Sequence, residues 1–210
     1  MTRNRYEALK KAYGRYASWA VWGEGDEVYN LIEQAVPSLH ADYVFAGLNA
    51  SQELEGQVPW TNYHSHSGSR EKIFASIFGR PPFGGAYITG IVKDCPRSST
   101  TEVLDFLKKD KTALDRNVKT LVKELAALGP VGKVILIGGA AEKIWKSRRE
   151  LDRYSAYPIT HFSVCGGIFP DTAPEERITT NAANGTEEGI TTTNITSTNK
   201  KDGIFQTKSS

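Results

Sequence analysis

Long apolar runs are missing from this chain. Among its 210 residues no stretch of about 18 consecutive apolar side chains occurs, so no segment has the length to cross a bilayer as a helix. Cysteine is scarce as well. Cys95 and Cys165 are too few for a disulfide framework, a four-cysteine zinc site or a four-cysteine iron–sulfur cluster. The opening stretch, MTRNRYEALKKAYGRY, has no apolar core of the kind a secretory signal needs. These absences predict a protein of the reducing cytoplasm. A phosphate loop is also lacking, because GPVGK at 129–133 has neither the spacing nor the following Ser or Thr.

What is present divides in two. Segment 171–210 holds ten threonines, one aromatic residue (Phe205), four basic and six acidic side chains. It has too little apolar surface to offset its ordering entropy, which predicts a disordered tail. Its two N-x-T sequons, at Asn184 and Asn194, read as chance matches. The remaining residues, 1–170, carry a net charge of +4, a mildly basic body that suits a polyanion without requiring one.

That body alternates strand and helix patterns. Apolar runs rich in β-branched and aromatic residues at 43–47, 86–92, 134–138 and 158–163 predict buried strands. Helical patterns lie at 6–16, 26–35, 70–78, 112–128 and 140–146. The clearest is 112–128, where Leu114, Val118, Leu121, Val122, Leu125 and Leu128 share one face and Gly129-Pro130 stops the helix. The aromatic-dense stretch 13–22 reads as a helix packed on the sheet. The expected fold is α/β, a three-layer sandwich with a central four-stranded, mainly parallel sheet flanked by helices. Such sheets bind ligands beyond the carboxyl ends of their strands.

The strand ends carry the chemistry. The first closes in Gly47-Leu48-Asn49-Ala50-Ser51 and the fourth in His161-Phe162-Ser163, followed by Gly166 and Gly167. The second runs AYITGIVKDCPR and the third VILIGGAAEKIW. Together, in this order, these segments resemble the uracil-DNA glycosylase superfamily over roughly residues 40–170. In that family a first motif of the form G-x-[ND]-P-[GS] follows the first strand and a second, commonly H-P-S, follows the last. GLNAS and HFS resemble them.

The resemblance implies hydrolysis of the bond between a flipped-out base and its deoxyribose. Asn49 then holds the attacking water and His161 donates a hydrogen bond to the departing base. Neither motif contains a lysine, which implies a monofunctional enzyme without a Schiff-base step. Gly47, Leu48, Gly90 and Ser163 are the expected base contacts, with Trp60 or Tyr63 stacking on the base. Ser51, Lys93, Arg97, Gly166 and Ile168 are the expected DNA contacts, Ile168 as an apolar wedge.

Three positions depart from the family pattern: Ala50 and Phe162 replace prolines, and Gly90 stands where the best-matching branch has a base-reading asparagine. A glycine there predicts a wider pocket and disfavours uracil, which points to a modified pyrimidine such as a hypermodified phage base, hence phage defence. In the alternative register Thr89 or Asp94 reads the base. The His64/His66 pair has no third ligand nearby and reads as a solvated loop rather than a metal site. No cofactor or membrane is implied, and the expected partner of a monomeric protein is DNA. A catalytically silent nucleic-acid binder on the same fold is the alternative. If Asn49 is purely catalytic, its replacement by alanine should leave folding intact.

Overall fold

The computed structural model describes residues 1–23, 28–50, 58–64 and 69–160, with backbone alone for 69–73. In chain order the elements are α1 (Arg3–Tyr13), β1 (Ser18–Trp19), α2 (Val28–Gln34), β2 (His40–Asn49), α3 (Ser69–Phe78) and β3 (Ala86–Val92). They continue with α4 (Thr100–Lys109), α5 (Ala113–Leu128), β4 (Lys133–Ile137), α6 (Gly139–Lys146) and β5 (Ser155–Ile159). Among the described residues the strands form one five-stranded sheet in the order β1-β3-β2-β4-β5. The run β3-β2-β4-β5 is parallel, and β1 pairs antiparallel with β3. No described helix is long and apolar enough to cross a membrane.

The period-two pattern of the central strands sorts their side chains onto two cores. Val44 and Ala46 of β2, Tyr87 and Ile91 of β3, and Val134 and Leu136 of β4 face one core, shared with α1, α5 and α6. Phe45, Ile88, Ile135 and Ile137 face the other, with Phe74, Ile77 and Phe78 of α3 and with Phe83. Both faces of the sheet are thus covered by helices, as parallel strands require. Helix α5 is the main support of the first core. Its Val118, Leu121, Leu125 and Leu128 are buried, each contributing about 1.5–3 kcal/mol of gross transfer free energy. Gly129, at φ +88°, ends it, a conformation in which a side chain would be strained.

The sheet has one strand more than the expected four. The stretch 13–22, expected as helix, instead turns at Gly14 and lays Ser18 and Trp19 along the open edge of β3, opposite Ile88 and Tyr87. That pairing satisfies backbone groups which the edge of β3 would otherwise leave open. Trp19 then packs edge-on against Tyr87, with centroids 4.7 Å apart. The last strand also lies earlier than expected, ending at Ile159. Helix α4 was not foreseen. Its cap is nonetheless written in the sequence, since Ser99 Oγ accepts from the Glu102 amide at 3.4 Å, an S-x-x-E pattern. The expected tail, 171–210, lies outside the described residues.

A polar cluster is sealed between β3 and α5. Glu124, fully buried, faces the ammonium of Lys93, which is 5 % exposed and also donates to Thr89 Oγ1. The other oxygen of Glu124 accepts from Tyr87 Oη and Thr89 Oγ1, both at 2.8 Å. Next to it, Asn117 Oδ1 accepts from the Lys93 amide at 2.5 Å, while its Nδ2 donates to Asp94 at 2.6 Å. Removing one member strands a charge in the core. Glu124→Leu is therefore expected to lower stability by about 3–5 kcal/mol, with much of the loss recovered in Lys93→Met/Glu124→Leu. Urea unfolding of the four proteins measures this, and additive losses would show the two charges to be uncoupled.

A second clamp joins α1 to α2. Glu33 accepts from Arg3 Nη1 at 2.5 Å, Lys10 Nζ at 2.7 Å and Tyr6 Oη at 2.9 Å. Burial alone would raise its carboxyl, but the hydrogen bonds from Lys10, Arg3 and Tyr6 prevail and hold it at about 2. A carboxyl whose folded value lies below its unfolded one stabilises fully above the unfolded value. That stability is lost as pH falls through the folded one. The melting temperature of the wild type should thus drop more steeply than that of Glu33→Gln between about pH 4.5 and about pH 2. Parallel curves over that window would exclude the clamp as a source of acid sensitivity.

Candidate functional site

The carboxyl ends of the four parallel strands share one edge of the sheet. From β2 the chain passes through α3 to β3 on one side, and from β4 through α6 to β5 on the other. The connections therefore diverge between β2 and β4, and a ligand crevice in an open α/β sheet lies at such a point. Asn49 is the last residue of β2. Across the divergence, Gly138 (φ +88°) turns the chain from β4 into α6.

Asn49 is held by its nitrogen. Nδ2 lies 2.7 Å from the carbonyl of Ala50, 2.9 Å from that of Cys95 and 2.8 Å from that of Arg97. Three carbonyls around one amide group fix its orientation, because only the NH2 side can face acceptors. Oδ1 is left as the free end, with no hydrogen bond from a described residue. The same contacts tie the segment after β3 to the end of β2. Asn49 is thus held structurally as well as being a candidate catalytic residue, and alanine there would give up these three contacts.

Gly47 and Gly90 are paired neighbours on β2 and β3, on the sheet face that carries α3. At Gly47 an added Cβ would meet nothing described nearer than the Thr89 carbonyl at 4.0 Å. At Gly90 it would lie 2.7 Å from Asn49 Cα, 2.9 Å from the Asn49 carbonyl carbon and 2.9 Å from Tyr63 Oη. The wider pocket expected at position 90 is therefore not there: Tyr63 and the β2 backbone fill that space. Glycine is required at 90 by the close approach of the neighbouring strand.

The two candidate stacking aromatics separate. Trp60 is fully buried, its ring 5.6 Å from Trp19, 5.9 Å from Tyr6 and 6.2 Å from Tyr87. It is a core anchor and has no face left for a base, which corrects its expected role. Tyr63 is only partly buried and reaches the Gly90 position. Both residues take left-handed backbone angles, φ 70° and 72°, uncommon for large side chains.

Segment 58–64 is pinned in that shape. The Trp60 amide donates to Gly14 O at 2.7 Å, and Asn62 Nδ2 donates to Arg15 O. Ser18 Oγ donates to Trp60 O and lies 2.7 Å from His64 Nε2. Since the Ser18 proton points to the carbonyl, His64 Nε2 is the donor to Ser18. His64 is 4 % exposed, which corrects the solvated-loop reading.

The remaining expected contacts divide as follows. Leu48 turns to the opposite face and packs beside Val92, Cys95 and Val103, because successive strand residues alternate. Lys93 is committed to Glu124 and is too deeply buried to meet a phosphate, which corrects its expected DNA contact. Arg97 stays exposed, with Nη1 on its own neighbour's carbonyl at 3.0 Å and Nε 3.8 Å from Glu102. Thr89, the alternative base reader, is buried beneath Glu124. Asp94 is occupied by Asn117 and Arg116. His161, Ser163, Ser51, Gly166 and Ile168 lie outside the described residues.

No protein-family model, curated protein or solved structure matches this chain. The described geometry defines an α/β protein in which Asn49 ends β2 beside the switch point and the paired Gly47 and Gly90 lie on β2 and β3 below it.

The orientation of Asn49 makes a counterintuitive expectation. Aspartate is the better base, yet Asn49→Asp would aim a carboxylate oxygen at three carbonyls. A loss of about 1–3 kcal/mol is expected from the unmade hydrogen bonds, read by urea unfolding. Wild-type stability in Asn49→Asp would show that the three carbonyl contacts do not hold the loop.

Proposed function

We propose that this chain is a monofunctional DNA glycosylase that hydrolyses the N-glycosidic bond of a flipped-out pyrimidine. The observation that carries this reading is Asn49, placed at the switch point with its nitrogen tied back to the protein and its oxygen free. The GLNAS motif, which closes β2, and the HFS motif, which follows β5 in the sequence, support it.

In this mechanism the C1′–N bond breaks toward an oxocarbenium-like sugar, and the bonding electrons leave with the base. Asn49 Oδ1 accepts a hydrogen bond from the water that attacks C1′ and so orients it. An amide takes up no proton, so the water loses its proton only as it bonds to C1′, and that proton ends on the departed base anion. His161 donates a hydrogen bond to the negatively charged base. The products are a free base and an abasic sugar. Lys93, which follows β3, is sealed against Glu124 and is not available as a nucleophile. The monofunctional reading rests on the absence of lysine from the GLNAS and HFS motifs. Arg97 supplies a phosphate contact at the rim.

The substrate is a pyrimidine whose recognition does not use a side chain at 90. Modified pyrimidines, including phage bases, remain the substrates of choice because the usual asparagine is missing. The size argument for them falls, since the space beside Gly90 is filled.

Incubation with duplex and single-stranded DNAs carrying uracil, mismatched thymine, hydroxymethylcytosine or glucosylated cytosine tests the proposal. Release of one base, with an alkali-labile abasic site, is expected, and His161→Ala should lower it by about 100-fold or more. DNA binding without release from any substrate would favour the silent binder and overturn the enzyme reading.

A further inference from the structure

Among the described residues, Tyr63 Oη is the buried hydroxyl that finds no hydrogen-bond partner. The hydroxyls of Tyr87 and Thr89 nearby do find one, on Glu124, whereas the indole nitrogens of Trp19 and Trp60, like Tyr63 Oη, do not. A fold gains nothing from an orphaned hydroxyl, since a phenylalanine would fill the same volume without the desolvation cost. This chain also holds the hydroxyl in place against the backbone's preference. Tyr63 and Trp60 both sit at left-handed φ. The segment is kept there by Trp60 in the core, by Asn62 on Arg15 and by His64 on Ser18. Strain that the surroundings over-determine is a feature of functional positions.

The hydroxyl's position gives it a task. It stands 2.9 Å from where a Cβ at position 90 would be, so the polar group that a longer side chain at 90 would deliver comes instead from 63. Beside it, the backbone at Gly47 is bare, with no described atom within 4.0 Å of the missing Cβ apart from the Thr89 carbonyl at that distance. Among the described atoms nothing blocks an approach over Gly47, and a flat ring laid there would turn its edge toward Tyr63 Oη. Asn49 Oδ1 lies two residues further along the same strand face.

We infer that the Tyr63 hydroxyl is the base-reading group of this site, hydrogen-bonding a ring carbonyl of a pyrimidine laid over Gly47. The inference rests on the glycosylase reading for the identity of the ligand. Burial and the nearby charge of Glu124 both push the phenol pKa upward, so the group is a proton donor throughout the working pH range. As a donor it pairs with a carbonyl oxygen of the base. Tyr63 is then a specificity residue, and its ring is not the stacking platform expected from the sequence.

Tyr63→Phe separates this role from a structural one. Removing an orphaned hydroxyl should leave the melting temperature equal to or above that of the wild type. Millimolar free uracil, cytosine or 5-hydroxymethylcytosine should raise the wild-type melting temperature. The ring-carbonyl base that does so should bind Tyr63→Phe at least about tenfold more weakly. Base release from the DNA panel should fall in parallel. Equal base binding by the two proteins, or no base binding by the wild type with release unchanged in Tyr63→Phe, would overturn the inference while leaving the glycosylase reading standing. Base binding lost in Tyr63→Phe, with release from no DNA by either protein, would uphold Tyr63 as the reader and overturn the glycosylase reading. A large drop in melting temperature for Tyr63→Phe would mark the hydroxyl as structural and also overturn the inference.

Discussion

The carboxylate of Glu124 is the fixed point from which the site is built. It is fully buried, and a charge in that position persists only if its attraction to Lys93 and its hydrogen bonds from Tyr87 and Thr89 offset desolvation. These partners are three side chains of one strand and its extension, so the pair sets the height and roll of β3 against α5. Asn117, one pair of turns earlier on α5, takes the Lys93 amide and fixes where β3 ends. Gly90 lies between Thr89 and Lys93. Its backbone is therefore held from below, and from above it receives Asn49 and Tyr63. One face of β3 is closed by charge, and at Gly90 the opposite face is closed by the β2 backbone and Tyr63.

Segment 58–64 is the counterpart of that rigid strand. Left to itself, a non-glycine residue avoids positive φ, and two such residues in four would relax into a wider loop. Trp60 prevents this by filling the space between Tyr6, Trp19 and Tyr87. The edge strand β1 supplies the rest: Ser18 bridges the Trp60 carbonyl and His64. The two-residue strand thus has a purpose beyond covering the edge of β3, since it carries the hydroxyl that locks the segment bearing Tyr63.

Elements set by long-range pattern were legible in the chain. Helix α5 declared itself through six apolar positions at helical spacing, and β3 through an unbroken apolar run whose bounds agree with Ala86–Val92. What could not be read depended on contacts distant in sequence. Strand β1 is two residues long, too short for any periodicity, and exists because β3 has an open edge. Trp60 and Tyr63 are equivalent as letters, and only the fold sends one into the core and the other to Gly90. Lys93 looked like a surface cation because its partner is Glu124, on a helix otherwise read for its leucines. A glutamate among Leu121, Leu125 and Leu128 on the buried side of α5 was the one available signal. The space beside Gly90 was misjudged for a related reason. An absent side chain says nothing about which neighbour moves in.

The chemistry open to the site follows from which atoms are already engaged. Asn49 has one donor end and one acceptor end, and the fold uses the donor. What remains is a neutral acceptor, strong enough to orient a water and too weak to deprotonate it. A site with such a group does not drive nucleophilic attack; it waits for the leaving group to depart and directs the water that completes the reaction. In the proposed reaction the burden of catalysis falls on stabilising charge in the base, a task for His161 and for a hydrogen-bond donor such as Tyr63 at a ring carbonyl, where negative charge gathers as the bond lengthens. A phenol that stays protonated suits that task better than a carboxylate or a neutral methylene would. In this arrangement the residue that recognises the base is also one that lowers the barrier to its release, so specificity and rate are set by the same hydrogen bond.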